Sequence, residues 1–422
     1  VLAMMQSGCA GAWSSPYLMI LTTENSTLPL SPEEASWVAS LLHIGRIIGA
    51  IIGGISVQFF GSQMGLLMSA VPGAVSWVFI GQATSATWLY IGRVFAGVST
   101  GMTFSTFPLY FGEIGDPSIR GGLVSMGLLG GSMGTVIVSA IAIYVDIPTS
   151  SWLFLIMSLV FIVCFAFLPA SPHHLARVST PEKTKASIRW YDRGCDVETS
   201  YAGVKKFVDT SKSFTLRDTL GEFKRPEMRK AFFIVLMLFM YQHTSGITTF
   251  ILYMEKIFTD ARVTIIAPST LVIIESGVAI LGMFSTIYLI DRLGRKSLLI
   301  LCSTGVIISL MVLATHFILL NNGFDADKLQ AIPIVSFTLY MLSASGGFRT
   351  VPSTILSETL PSSLKGIAAC AGNVVGSGFA FLCSKTFQIL LDTIGEQGIY
   401  WIYTAIVVTV IPFVIFCMPE TK

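Results

Sequence analysis

Apolar runs long enough to cross a membrane fill most of this 422-residue chain. About 20 residues of α-helix span the hydrocarbon core of a bilayer. Hydrophobic residues make up 53% of the chain and charged residues only 12%, which is too little polar surface for a water-soluble protein of this length. The runs fall near 1–22, 36–58, 64–83, 87–110, 122–144, 152–169, 230–254, 266–290, 297–320, 330–356, 366–390 and 398–418. The sequence therefore predicts an all-α membrane protein with twelve transmembrane helices.

A short phrase occurs twice, once in each half of the chain. Glu113 is followed seven residues later by Arg120 and then by a Gly, and Glu358 is followed in the same way by Lys365 and a Gly. Each copy follows one long apolar run and precedes another. Repeated hydrophobic halves are a common plan of secondary transporters, so the repeat predicts two related six-helix halves.

Positively charged residues gather in one segment, at 170–229, which holds about half of the Lys and Arg residues of the chain. Cytoplasmic loops of membrane proteins carry such an excess. We therefore expect a six-helix half at 1–169, a cytoplasmic loop at 170–229 and a second six-helix half at 230–422, with both termini in the cytoplasm. Basic patches alternate with apolar residues in the loop, which predicts short amphipathic helices.

The sequence contains no recognisable pattern for an enzyme, a metal site or a nucleic-acid site. The formal net charge is +2, and the bases gather in one loop instead of along a stripe. The seven cysteines show neither metal-ligand spacing nor a disulfide framework, so we expect no metal and no other cofactor. No nucleophile–base pair or phosphate loop is visible. Asn25 begins a sequon in the first loop, which predicts a glycan on the outer side.

Charged residues also stand at the ends of several runs. Asp291, Arg292 and Arg295 lie in a six-residue turn between runs eight and nine. Alone they would indicate a plain positive-inside stop signal. Together with the repeated acid–base phrase, and with Arg93 at the start of run four, they predict a gate that closes the cytoplasmic mouth by ion pairs. The candidate gating residues are Arg93, Glu113, Arg120, Asp291, Arg292, Arg295, Glu358 and Lys365.

Seven phrases at helix boundaries resemble those of the sugar porters of the major facilitator superfamily. They lie at 92–93, 113–121, 168–172, 242–247, 291–296, 358–366 and 419–422. The resemblance covers nearly the whole chain. Two further phrases, at 12–16 and 36–41, resemble the trehalose-type facilitated transporters of insects.

The resemblance implies a central cavity between two pseudo-symmetric six-helix halves, open alternately to each side of the membrane. Members of the family carry sugars downhill or couple them to protons. Proton-coupled members have an acid in the first helix, where this chain has Ala10. We therefore expect facilitative uniport of a sugar such as trehalose or a hexose, by a monomer in the lipid bilayer of the plasma membrane.

The resemblance also implies substrate contacts, which here depart from the family pattern. Gln242 and His243 stand where the family has two consecutive Gln, and Thr248 stands where it has Asn. In run ten, Ser353 replaces a Trp. An unpaired sugar hydroxyl in a dry pocket costs about 1–3 kcal/mol. These four residues are the candidate substrate contacts, although a satisfied core histidine is an equally good interpretation of His243.

Arg46, Glu275, Arg349 and Lys385 lie inside apolar runs. Charges at membrane depth usually line a cavity or pair with one another. Snorkelling toward an interface is the alternative explanation. If Arg46 or Arg349 reaches the cavity, the site would suit an anionic or phosphate-bearing substrate. A carrier of an organic anion or of another polar metabolite is therefore the second interpretation of the chain. A solute sensor that does not transport is a third interpretation of the chain.

The loop between runs two and three departs from the family as well. The family has an acid and a basic turn there, whereas residues 54–63 carry no charge. The sequence therefore predicts a looser gate in the first half than in the second.

Overall fold

Every regular element in the described part of the chain is an α-helix. The structure is a computed structural model, and it describes residues 1–422 except 24, 25, 27, 116–119, 193, 195, 213–220, 222–224, 361 and 419–422. The side chains at 120, 121, 125, 210–212, 287, 291, 362 and 363 also lie outside the description.

The first half begins with a broken helix and a long bent one. Its helices are α1 (Leu2–Ala12), α2 (Ser14–Leu21), α3 (Pro32–Gly81), α4 (Ala86–Ile114), α5 (Arg120–Tyr144) and α6 (Ile147–Ala166). A capping box starts α3, because the hydroxyl of Ser31 accepts a hydrogen bond from the N–H of Glu34 and the Glu34 carboxylate accepts one from the N–H of Ser31. Gly61, at φ +86°, then bends α3 sharply, since glycine alone adopts this conformation at little cost.

The described part of the segment between the halves forms three short helices: α7 (Pro172–Val178), α8 (Pro181–Tyr191) and α9 (Val197–Lys212). The hydroxyl of Tyr191 donates a 2.6 Å hydrogen bond to the carbonyl of Pro169, and Lys185 of α8 pairs with Glu198 of α9 at 2.7 Å. These contacts hold the three helices against one another and against the end of α6. We call the side of the molecule on which they lie the linker face, and the other side the opposite face.

The second half has the same kinds of break. Its helices are α10 (Pro226–Thr244), α11 (Ile247–Asp260), α12 (Pro268–Leu293), α13 (Arg295–Asn321), α14 (Ala326–Leu329), α15 (Ala331–Gly346), α16 (Val351–Thr359), α17 (Ser362–Val408) and α18 (Val410–Phe416). Gly294, at φ +80°, separates α12 from α13, and Gly395, at φ +71°, bends α17. The same number of residues separates Gly61 from Gly294 as separates the break at Trp13 from the break at Gly246.

The described helices account for twelve spans. Eight stretches are long and apolar enough to cross a membrane, and two of them, Pro32–Gly81 and Leu364–Phe416, are each two spans joined at a glycine. The α1–α2 pair and α4 supply the other two. The chain is therefore a multi-pass membrane protein, and the predicted all-α fold with twelve helices in two pseudo-symmetric halves is confirmed.

Glycine lets α3 and α4 approach closely in the middle of the first half. A Cβ added at Gly45 would lie 2.2 Å from the backbone oxygen of Val94, and one added at Gly97 would lie 2.1 Å from that of Leu42. Small residues allow such contacts between membrane helices, where lipid provides no hydrophobic drive for association. The contact fixes the part of α3 that carries His43 and Arg46.

Candidate functional site

The seventh span breaks at the level of the predicted substrate contacts. α10 ends at Thr244, and Gly246, at φ +92°, starts α11. His243 lies in the last turn of α10, and its Nδ1 is 2.7 Å from the hydroxyl of Thr248 across the break. The structure thus brings His243 and Thr248 together, and it buries the imidazole while leaving Thr248 partly accessible.

The other two predicted substrate contacts are not joined to this pair by any hydrogen bond among the described residues. Gln242 is partly accessible, and its backbone carbonyl accepts a 2.9 Å hydrogen bond from the hydroxyl of Ser245. No side chain in the described part binds the Gln242 amide, so this group is free to bind a ligand. Ser353 is exposed in the first turn of α16, directly after Pro352.

Two arginines and two histidines approach one another near the middle of the molecule. His43 and Arg46 lie one helical turn apart on α3. They interact electrostatically with His243 of α10, and Arg46 also interacts with Arg349 in the break between α15 and α16. We call His43, Arg46, His243 and Arg349 the central basic cluster. His43 is only 1% exposed, and among the described residues neither of its ring nitrogens has a hydrogen-bond partner.

Arg93 binds the break in the first span and lies far from the other candidate gating residues. Its side chain is completely buried, and it donates hydrogen bonds to the carbonyls of Ala10 (2.6 Å) and Val38 (3.0 Å) and to the hydroxyl of Ser14 (2.8 Å). The guanidinium also lies 5.5 Å from the ring centre of Trp13. Glu113 is twenty residues further along α4, about 30 Å at 1.5 Å per residue, so Arg93 lies toward the opposite face.

An ion pair joins two predicted gating residues on the linker face of the second half. Arg295, the first residue of α13, donates to both oxygens of Glu358, with Nη2–Oε1 at 2.7 Å and Nε–Oε2 at 3.2 Å. Its Nη1 also donates to the carbonyl of Ile290 at 3.1 Å. The arginine therefore holds the end of α12 and the end of α16 against the start of α13.

In the corresponding contact of the first half, the described hydrogen bond to the acid comes from a hydroxyl group. Glu113 accepts a short hydrogen bond from the hydroxyl of Ser62, the residue that follows Gly61. The carbonyl of Glu113 lies 3.2 Å from Nδ1 of His173 in α7. The ring of His174 packs against Gly61, where an added Cβ would lie 2.6 Å from its Cγ. Residues 54–63, which carry no charge, thus bind the carboxylate of Glu113 through the hydroxyl group of Ser62.

The remaining predicted positions are only partly described. The guanidinium of Arg292 lies 4.2 Å from the ring centre of Tyr288, and Lys365 is partly buried in α17. The side chains of Arg120 and Asp291 lie outside the described residues, and so does Asn25, the predicted glycosylation site.

On the opposite face the two halves touch. The Nζ of Lys385 in α17 donates a 2.8 Å hydrogen bond to the hydroxyl of Ser36 in α3 and lies 4.0 Å from the ring centre of Trp37. The N–H of Glu255 donates to the hydroxyl of Ser15 at 3.1 Å. Lys385 therefore bonds across the boundary between the halves and does not merely extend toward the membrane surface.

Comparison with known proteins shows which family has this sequence and architecture. A profile of the family described as Sugar (and other) transporter matches residues 10–422. The chain belongs to this transporter family. It is accordingly not an enzyme, and the resemblance to sugar porters found in the sequence is confirmed.

Relatives of this transporter include insect proteins. The facilitated trehalose transporter Tret1 of Aedes aegypti is 29% identical over 423 residues, which cover all of this chain and 52% of the relative. Tret1 of Polypedilum vanderplanki is 30% identical over 425 residues, covering all of this chain and 84% of the relative. The chain spans about half the length of several of the curated relatives it matches.

Solved transporters share the fold of this family member. The inward-open xylose transporter XylE from E. coli has a TM-score of 0.79 and 21% identity, covering 100% of this chain and 95% of that chain. The nucleoside transporter NupG has a TM-score of 0.65 and 12% identity, covering 99% and 98%. These likenesses show the fold alone, and they support the twelve-helix assignment.

Sequence reasoning missed three features of this transporter. His43 joins the central basic cluster, and its place three residues before Arg46 on one helix could have indicated it. Ser62 binds Glu113, and its position after Gly61, equivalent to that of Arg295 after Gly294, was the available signal. Nothing in the sequence indicated that Lys385 would reach Ser36, because the two belong to different halves.

Proposed function

We propose that this chain is a facilitative transporter that carries a sugar such as trehalose or a hexose by alternating access. The observation that carries the proposal is the broken seventh span, where His243 contacts Thr248 and the neighbouring Gln242 has a side-chain amide that no described residue binds. Broken spans near the membrane midplane are typical substrate sites of secondary transporters. Membership of the sugar transporter family and the trehalose transporters among the relatives support the same substrate class.

Transport in this proposal requires the halves to rock about the central site. The Lys385–Ser36 and Glu255–Ser15 contacts close the opposite face, and they must break before the cavity opens there. At the linker face we assign the gate to Glu113, Arg120, Asp291, Arg292, Arg295, Glu358 and Lys365. The Arg295–Glu358 pair holds the second half of that gate together, and the Ser62–Glu113 bond holds the first.

We propose uniport without proton coupling because α1 and α2, residues Leu2–Leu21, contain no acid that could exchange a proton. We further propose that the transporter is a monomer in the plasma membrane. Its two halves would be residues 1–169 and 230–422. The termini and segment 170–229 would lie in the cytoplasm. The excess of Lys and Arg in that segment supports this orientation.

The test is uptake of radiolabelled trehalose and glucose by cells that express the full-length protein, with and without a proton gradient. Saturable uptake that is indifferent to the gradient is the expected result. Uptake that collapses when the gradient is removed would contradict uniport. No saturable uptake of either sugar, by protein shown to reach the cell surface, would contradict sugar transport itself.

A further inference from the structure

The central basic cluster contains two arginines, Arg46 and Arg349, that have no negative partner among the described residues. Among the described residues, neither the Arg46 nor the Arg349 guanidinium makes a hydrogen bond or an ion pair. The Arg46 guanidinium lies near the ring of Phe104, whose centre is 5.4 Å from Cζ. Because charged groups inside membrane proteins normally pair with an opposite charge, this arrangement requires an explanation.

Arg46 cannot reach water along its own helix. It lies fifteen residues from Ser31 at one end of the span and fifteen residues from Gly61 at the other. Each distance is about 22 Å of helix, which is much longer than an arginine side chain. The side chain is nevertheless partly accessible, as is that of Arg349, so neither arginine is fully enclosed by packed protein.

The two arginines also interact unfavourably with each other. They are close enough for a Coulomb repulsion, and no described acid acts on either of them. Ligand sites of transporters are often formed by breaks in membrane helices. Arg349 lies in such a break, between Gly346 and Val351. An anion placed between the guanidinium groups would remove the repulsion and accept bidentate hydrogen bonds from them.

The candidate sugar contacts adjoin this cluster. His243 belongs to both groups, since it bonds to Thr248 and interacts electrostatically with Arg46 and Arg349. The two unpartnered ring nitrogens of His43, one turn from Arg46, add hydrogen-bonding capacity that no described residue uses. A ligand that combines hydroxyl groups with a negative charge would match both parts of the site.

We propose that the substrate is an anionic sugar, with a carboxylate or phosphate group that binds between Arg46 and Arg349 while its hydroxyl groups bind Gln242, His243 and Thr248. This inference rests on the proposed function, because it places the ligand in the same transport site. To the proposed function it adds that the sugar carries a negative charge. The departures from the sugar-porter pattern had not fixed the charge of the substrate.

The experiment uses purified full-length transporter in liposomes and three labelled ligands that share one ring and differ only at carbon six: glucose, glucuronate and glucose 6-phosphate. Inorganic phosphate serves as a fourth probe, for an anion without a sugar. We expect glucuronate or glucose 6-phosphate to inhibit glucose uptake at a concentration about tenfold or more below that of unlabelled glucose. Because uniport of an anion moves charge, their transport should also produce a current that glucose does not produce.

Variants test the assignment of the charge. R46Q and R349Q should each lower the ratio of anion uptake to glucose uptake about tenfold or more, whereas R46K should retain part of the preference. R189Q is the matched control, because Arg189 is exposed on α8 and its loss should leave the ratio unchanged. Anion-dependent thermal stabilisation of the purified protein, lost in R46Q, gives a second measurement that does not require transport.

The outcomes separate the two proposals. If glucose or trehalose is taken up but neither sugar anion competes, produces a current or stabilises the protein, the proposal of an anionic substrate is wrong. The proposal of sugar transport is then unaffected. Inorganic phosphate that competes as well as the sugar anions would also overturn it, because the sugar part would then contribute nothing. Uptake of the sugar anions without glucose would support the inference and narrow the proposed function. Failure of all four ligands to bind or move would overturn both.

Discussion

The hydroxyl of Ser62 donates a hydrogen bond to the carboxylate of Glu113, at the place where the second half has the ion pair between Arg295 and Glu358. Ser62 and Arg295 each follow a glycine with nearly the same positive φ, Gly61 at +86° and Gly294 at +80°. The repeated halves thus share the backbone of this turn and the position of the acid, but the residue after the glycine donates from a hydroxyl group in one half and from a guanidinium in the other.

This difference predicts unequal effects of substitution at the two turns. R295Q removes a two-pronged ion pair that is mostly buried, with 12% of the Arg295 side chain exposed, so we expect a loss of about 1 kcal/mol and uptake about fivefold lower. S62A removes one hydrogen bond between an uncharged donor and Glu113, and it should lower uptake less than R295Q does. Initial rates of uptake, normalised to protein at the cell surface, measure both effects.

A charge reversal provides the control for the ion pair. R295E should be at least as slow as R295Q, because two acids then face each other. The double variant R295E/E358R should recover most of the rate if the pair itself matters. A double variant no faster than R295E would contradict a role for this pair in transport.

Arg93 should be essential for stability. Its hydrogen bonds to Ala10 and Ser14 and its contact with Trp13 join α4 to the break in the first span, and its hydrogen bond to Val38 joins α4 to α3. R93A would leave the buried carbonyl of Ala10 without this donor, at a cost of about 1–3 kcal/mol, whereas the carbonyl of Val38 would keep its helical hydrogen bond within α3. We expect the melting temperature in detergent to fall by about 5 °C or more, whereas R189A on exposed α8 should leave it unchanged. An unaltered melting temperature for R93A would show that the break does not depend on Arg93.

Lys385 is predicted to keep the opposite face closed. K385M removes the only described hydrogen bond between α17 and Ser36 and the contact with Trp37, so the opposite face should open more often. Spin labels at two exposed residues, Thr84 in the loop between α3 and α4 and Asn322 directly after α13, would report this opening as a longer distance between labels. K328M is the control, because Lys328 is an exposed lysine of α14 in the same half. Identical distance distributions for K385M and the unaltered protein would rule out this role.

The sequence predicted the spans well because each is a continuous apolar run, a property of the chain that tertiary contacts do not change. It also predicted that Glu113, Arg295 and Glu358 stand at helix ends. It grouped Arg93 with them because of a matching phrase. Successive spans alternate in direction, however, so the start of α4 lies at the opposite end of the molecule from Glu113.

The sequence indicated only two of the four residues of the central basic cluster. Arg46 and Arg349 stood out as charges within apolar runs, but their nearness to His43 and His243 depends on how three separate spans pack. The break at Gly246 was equally hidden, because no proline marks it and a glycine in a membrane span most often serves close packing. The break at Trp13 did have a signal, since Pro16 cannot donate the helical hydrogen bond to the carbonyl of Ala12.

The break at Gly246 gives the last prediction. Its φ of +92° costs a residue with a side chain about 1–2 kcal/mol, and an added Cβ would lie 2.9 Å from the ring of Phe250. G246A should therefore straighten or strain the seventh span, separate His243 from Thr248 and raise the KM for the transported sugar. G277A is the matched control, since Gly277 lies inside helix α12 and an added Cβ there would meet nothing within 4 Å. We expect G277A to transport normally, and a G246A protein with an unchanged KM would show that the break does not shape the substrate site.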